Sequence, residues 1–137
     1  MTRRYAERTE IEALETRREI EALLRKSKAE RIVIMDEPDG ATVAFMLGGR
    51  LMRIAIGMSA ETREQERKAL WRGLLLVLKA KLIAIGQGIS TVEREFLAGV
   101  VLPDNQTVGD WIEPGLRLAY ERGEMPTHPL MLEGPKK

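Results

Sequence analysis

The chain has 137 residues, of which 44% are apolar, 31% charged and 4% aromatic, with no Cys and one His. This apolar share excludes a disordered chain, and the length suits one domain with a working core. Lacking Cys, the chain has no disulfide scaffold, thiolate metal site or Cys nucleophile, and a single His argues against a His metal cage or a conventional triad.

The formal net charge of +1 hides a gradient. Residues 1–81 carry 17 basic and 13 acidic side chains, whereas residues 82–137 carry 5 basic and 8 acidic. A dipolar chain of this kind steers a charged partner to one side. No apolar stretch follows Arg3-Arg4, so no secretory signal is expected. No apolar run exceeds five residues, as at 74–78, against about 20 for a spanning helix. No membrane span and a cytoplasmic location are therefore expected.

The first predicted element is a helix over 2–29. The segment holds no Gly or Pro and is rich in Glu, Arg, Ala and Leu, all good helix formers. Thr9 with Glu12 fits a capping box, which permits a boundary near Thr9. Ile20, Leu23 and Leu24 fall at helical spacing, so the second half should dock on the body. The first half offers only Tyr5, Ile11 and Leu14. It projects or meets a partner, and a homo-oligomer through this helix is one expectation.

A three-stranded meander is predicted over 31–56. Ile32-Val33-Ile34-Met35 is a β-rich run closed by the turn Asp36-Glu37-Pro38-Asp39-Gly40, where Pro presets φ and Gly accepts φ > 0. The strands 41–47 and 51–56 flank Gly48-Gly49, a two-residue loop suited to a hairpin. That loop pairs Leu47 with Arg50, Phe45 with Met52, Val43 with Ile54, and Ala41 with Ile56. The last six of these residues share one wholly apolar face. The other face, with Thr42, Ala44, Met46, Leu51, Arg53 and Ala55, is mixed. A slip of one residue would scramble the segregation.

A long central helix is predicted over 60–86, capped by Ser59 or by Thr62 with Gln65. Trp71, Leu74, Leu75, Leu78, Leu82 and Ile85 form one stripe along it. Leu70, Leu76, Val77 and Ile83 add apolar surface on other sides, so this helix should be the most buried. Gly86 and Gly88 end it.

Short helices are predicted over 90–123. Ser90 with Glu93 opens one that stops at Gly99. Val100-Val101-Leu102 reads as extended, residues 103–106 as a turn, and Thr107 as the cap of a helical turn around Trp111. Pro114 interrupts that turn or starts a new helix over 116–122, closed by Gly123. Trp111 either locks this segment to the body or marks a partner site. The Pro-rich tail 124–137 has no period and should be extended or mobile. The expected fold class is α+β: an α-β-β-β-α core whose three-stranded antiparallel sheet packs on the long central helix, followed by short C-terminal helices.

Carboxylates are the only plausible catalytic groups. Asp36, Glu37 and Asp39 crowd one turn, and Asp104 and Asp110 sit in another irregular segment. Together they offer oxygen ligands of the kind Mg²⁺ takes, although Asp in turns ordinarily bonds the backbone. A metal-dependent nuclease using Asp36, Asp39 and Asp104 is the least favoured reading, and no cofactor is expected. No phosphate-binding or dinucleotide-binding loop and no nucleophile elbow occurs. His128 stands alone in the tail, and Ser59 and Ser90 have no neighbouring base.

The basic residues carry more. Lys68, Arg72 and Lys79 fall within about 40° of each other on the long helix. Arg17, Arg18, Arg25, Lys26, Lys28 and Arg31 load the end of the first helix and the start of the first strand. Arg50 and Arg53 lie on or beside the hairpin. Of these, Arg17, Arg18, Arg25, Lys28, Arg50, Arg53, Lys68, Arg72 and Lys79 are the candidate contacts to nucleic acid or another partner. Phosphate contacts of this type bind without sequence preference and weaken with salt.

Two resemblances bear on function. The order α-β-β-β-α across about residues 10–85 is similar to that of double-stranded RNA-binding domains. That family clamps phosphates with lysines at the start of its last helix. The matching stretch here, 59–68, places Glu61, Glu64 and Glu66 ahead of or among Arg63, Arg67 and Lys68. Separately, Gly88-Ile89-Ser90-Thr91-Val92-Glu93, Val101-Leu102-Pro103-Asp104, Thr107-Val108-Gly109-Asp110-Trp111 and Ala119-Tyr120-Glu121-Arg122-Gly123 resemble small uncharacterised tailed-phage proteins. That likeness implies a mobile-element origin, in which small proteins bind nucleic-acid-processing machinery or block host defences. The expected function is a non-enzymatic accessory protein binding nucleic acid or a nucleic-acid-processing complex through its basic N-terminal half. The alternative is an anti-CRISPR-like inhibitor of a host defence complex, binding a protein partner through its acidic C-terminal segment.

Overall fold

The structure, a computed structural model, describes residues 2–59 and 61–126. His128 and the tail beyond Pro126 lie outside the described residues. The α-β-β-β-α order and the three-stranded antiparallel sheet are those expected, and short helices follow.

Helix α1 (Thr2–Lys26) runs through Thr9 without the boundary allowed there, and ends three residues before the expected 29. The Ser27 hydroxyl and N–H both donate to the Leu23 carbonyl, at 3.0 and 3.1 Å. Lys28 then turns into the left-handed region, φ 68°. An L-residue there costs about 1–2 kcal/mol.

Strands β1 (Glu30–Glu37), β2 (Gly40–Leu47) and β3 (Arg50–Gly57) form one sheet in that order. The β2–β3 register is the one dictated by the Gly48-Gly49 loop, with Phe45 opposite Met52 and Val43 opposite Ile54. Pairing of Glu37 with Gly40 reduces the first turn to Pro38-Asp39. Gly40 serves differently from the expectation: its φ is not positive, and a Cβ there would sit 2.6 Å from the Ile56 carbonyl oxygen. It is Gly because β3 comes too close, not because the turn needs it. Near the start of β1 one extra residue enters between Glu30 and Val33, and Arg31 takes φ 51°. A bulge of this kind disrupts an edge that would otherwise template further pairing.

One sheet face is buried by α1 and α2 (Glu64–Gly86). Ala41, Val43, Phe45 and Met52 meet Ile20 and Leu24 of α1 and Trp71, Leu74, Leu75 and Leu78 of α2 in a single core. Each fully buried large side chain stabilises by roughly 1.5–3 kcal/mol, against about 1 kcal/mol for a cap. This explains why α2 begins without the expected cap. Arg63 holds the N-cap position with no side-chain bond, while Ser59 and Thr62 bond each other in the preceding turn. Burial of α2 is one-sided, contrary to expectation. Leu76, Val77 and Ile83 are exposed, because both helices share the same sheet face and nothing among the described residues covers the far side of α2. The outer sheet face likewise leaves Val33, Met35 and Leu51 exposed.

The C-terminal segment attaches along β3. Helix α3 (Val92–Phe96) is capped by Thr91, one residue later than expected, since Thr91 Oγ1 accepts from the Arg94 N–H at 3.2 Å. Phe96 enters the core edge-on to Phe45, with centroids 5.4 Å apart. A short turn, Leu97–Gly99, leads to Val100, which bridges Met52, and the Val101 N–H donates to the Leu51 carbonyl at 2.9 Å. Helix α4 (Val108–Arg122) is capped by Thr107 and closed by Gly123, as expected. It is one continuous helix, not two. Pro114 removes only the bond to the carbonyl of Asp110, and both residues lie exposed, so that carbonyl is not left in an apolar interior. No α4 residue is fully buried, and Trp111 is half-buried instead of joining Trp71 in the core. No helix among the described residues is long and apolar enough to cross a membrane.

Candidate functional site

The densest polar cluster lies where the starts of α2 and the β1–β2 turn meet the middle of α1. Asp36, at the end of β1, is its centre. Arg17 Nη1 donates to Asp36 Oδ2 at 2.6 Å, and Arg67 Nη2 donates to Asp36 Oδ1 at 2.8 Å. The indole N–H of Trp71 donates to the same Oδ1 at 3.3 Å. Arg67 also donates to the carbonyls of Glu37 and Pro38, at 2.5 and 3.3 Å. The Arg17 guanidinium lies 5.5 Å from the Trp71 ring centre, where its charge meets the negative π face.

Local sequence explains each position. Arg67 and Trp71 stand four residues apart, so they share the core-facing side of α2. Arg17 flanks the buried stripe of Ala13, Thr16, Ile20 and Leu24. A carboxylate at the strand end is then needed to balance two guanidinium groups and to accept from a buried indole. The cluster is a clasp: it ties both helices to the first turn. Above it an open groove of about 380 Å³ runs between Glu10, Ile11 and Leu14 on one wall and Glu64, Arg67 and Trp71 on the other. Ile11 and Leu14, expected as an oligomer stripe, form that exposed wall.

Asp36, Asp39 and Asp104 do not come together. Asp36 ends the edge strand β1, while Asp104 lies beyond β3, beside Arg53, across about 10 Å of sheet. Asp104 is engaged by the Gln106 side chain and by its backbone N–H, and these bonds hold its carboxyl below the usual range. Among the described residues no group of three His, Asp or Glu side chains is placed to hold a metal ion.

Six of the nine candidate cations are engaged internally. Arg17 holds Asp36. Lys68 pairs with Glu12, and its hydrogen bond is the main reason the Glu12 carboxyl sits below the usual range, with Arg8 assisting. Arg72 lies 3.5 Å from Glu19, and Arg25 3.4 Å from Glu21. Arg50 pairs with Glu93, and Arg53 donates to the Asn105 side chain and carbonyl at 3.0 and 2.7 Å. The Arg67-Lys68 pair at the start of α2 is thus committed to Asp36 and Glu12. Arg18, Lys26, Lys28, Arg31 and Lys79 are exposed and make no such contact among the described residues.

The pairs Glu12–Lys68 and Glu19–Arg72 ascend both helices together, so α1 and α2 run in the same sense. Lys26 and Lys79 each lie seven residues past the second pair, about 10 Å further along. They therefore point to the same end of the helical layer as Lys28 in the α1–β1 loop and Arg31 at the start of β1. Arg67 was not singled out by sequence reasoning. Its spacing from Trp71 was a usable signal, but the carboxylate it requires is 31 residues away. The chain matches no known protein-family model, no curated protein and no solved structure.

Proposed function

We propose that this protein is a non-enzymatic, phage- or mobile-element-type accessory protein, acting in the cytoplasm, that binds nucleic acid through its basic N-terminal half, alone or within a nucleic-acid-processing complex. The observation that carries this reading is the location of the cations that internal acids leave free. Lys26, Lys28, Arg31 and Lys79 gather at one end of the helical layer, and residues 25–31 hold four basic side chains against one acidic, Glu30. The committed residues Arg17, Arg67, Lys68 and Arg72 instead brace the fold. A surface built this way attracts a polyanion without reading its sequence.

A second reading rests on α4. Its Leu116, Leu118 and Tyr120 are exposed, with Tyr120 at 83%, beside Asp110, Glu113 and Glu121. An exposed apolar and acidic helix suits a protein partner, such as a host defence complex inhibited through phosphate mimicry. Binding of labelled DNA and RNA at rising salt separates the two. Affinity that falls steeply with salt supports the first reading, and no binding at about 20 mM salt overturns it.

A further inference from the structure

We infer that Lys28, in the α1–β1 loop, and Arg31, at the bulge that opens β1, form a phosphate-contacting pair. The inference rests on the nucleic-acid reading above and names the residues that carry it. Its basis is backbone conformation. Among the described residues seven have φ in the left-handed region: four are Gly, at 48, 49, 88 and 123, and one is Asn105. The other two are Lys28 and Arg31, with φ 68° and 51°. Gly is the ordinary choice just past a helix end, where Lys28 stands, and at a bulge, where Arg31 stands. This chain uses Gly freely at such positions elsewhere, so two cations three residues apart in strained conformations need a reason.

The fold uses both conformations, since Lys28 closes α1 and Arg31 makes the edge bulge, but Gly would serve either, so the choice of Lys and Arg is what needs a reason. The Lys28 and Ala29 backbone N–H groups donate to the Arg25 and Leu24 carbonyls at 3.0 and 2.9 Å, a helix closure that needs the left-handed backbone and not a Lys side chain. Neither side chain is buried, and neither has an ion-pair or hydrogen-bond partner among the described residues. A cation kept in a strained conformation that Gly would adopt at lower cost marks a functional position. The chemistry selects phosphate. Lys offers a compact charge and Arg a planar fork, the two donors that phosphate oxygens accept best. Lys26 extends the positive field, Arg25 is held by Glu21, and Glu30, the first residue of β1, is the one acid within 25–31. A run of phosphates, not an isolated anion, matches that layout.

The test uses the full chain and a fluorescein-labelled duplex DNA and single-stranded RNA, each of about 20 nucleotides, titrated between roughly 20 and 200 mM salt. The double variant Lys28→Gly/Arg31→Gly relieves the strain, so its thermal midpoint should be no lower than that of the unsubstituted protein. Its affinity should nevertheless drop about tenfold or more, and the slope of log affinity against log salt should become shallower by about two. Lys28→Asn/Arg31→Asn, which also tolerates the left-handed backbone, should lose binding equally. Unchanged affinity and slope in these variants, with the unsubstituted protein binding, overturns the pair and leaves the broader reading standing. Failure of the unsubstituted protein to bind overturns both. Polyglutamate competing as well as the oligonucleotide would assign the loop to an acidic protein segment and overturn phosphate contact. A midpoint lowered by the glycines would show that these side chains hold the fold, which also overturns the inference.

Discussion

The body formed by α1, the sheet and α2 and the arm that follows it are stabilised in different ways. The body buries Trp71, Phe45, Ile20, Leu24 and Leu78 in one core and clips its first turn to both helices through Asp36. The arm contributes one buried side chain, Phe96, and is otherwise tied to the body by backbone pairing of Val100 and Val101 along β3 and by polar bonds such as Arg50–Glu93, Arg53–Asn105 and Lys81–Glu95. Beyond them α4 packs chiefly on the turn Leu97–Gly99, where Gly109 passes so close that a Cβ would meet the Ala98 carbonyl at 3.1 Å. Few buried contacts mean a low free energy of local opening. The lesson is that helical order and stability are separate here: α4 is well capped at both ends yet owes little to the core.

The sharpest way to break this comparison is to remove each region's aromatic anchor. Phe45→Ala should cost about 3–5 kcal/mol and lower the global unfolding midpoint measured by chemical denaturation. Phe96→Ala should act on the arm: amide exchange protection across 97–122 should collapse while that of β2 and α2 persists. Equal loss of protection in β2 would show that the arm and body are one cooperative unit.

A smaller effect is expected at the clasp. Asp36→Ala leaves the Arg17 guanidinium and a buried indole N–H without their acceptor, and Arg67 with only the carbonyls of Glu37 and Pro38. The side chains of Arg17, Asp36 and Arg67 are 22%, 30% and 18% exposed, so solvent recovers part of the loss and about 1–3 kcal/mol is expected. The effect should appear as faster amide exchange at 36–40 and the start of α2, with no change in α4. Arm protection falling in parallel would sink the separation.

The smallest effect is that of pH. Glu12 in the body and Asp104 in the arm both have carboxyls held below the usual range, by Lys68 and by Gln106 respectively. A folded-state value below the unfolded one gives stability that is present above the unfolded value. It is lost as pH falls through the folded value. Acidification into and below the carboxylate range should therefore loosen both regions slightly. Glu12→Gln should flatten that dependence for the global midpoint, and Asp104→Asn only for exchange in 102–107. A pH profile unchanged by Glu12→Gln would remove the Lys68 pair as a source of stability.

The sequence by itself determined what depends on neighbours along the chain. Alternation of apolar residues across Gly48-Gly49 allows one register, because any slip turns Phe45 and Val43 towards water. The stripe from Trp71 to Leu78 specifies the buried side of α2, and Thr107 and Gly123 bound α4 through bonds within a few residues. Tertiary structure alone decided what depends on distant partners. Arg17 and Arg67 look like free cations until Asp36 lies between them. Gly40 looks like a turn residue until the Ile56 carbonyl stands against it. Leu76, Val77 and Ile83 look like core until both helices settle on one sheet face. Lys28 and Arg31 are two cations among many in the sequence, and only their left-handed backbone sets them apart. The physical reason is range: backbone pattern is written locally, whereas charge pairing, close approach and strain are settled by what folding brings alongside.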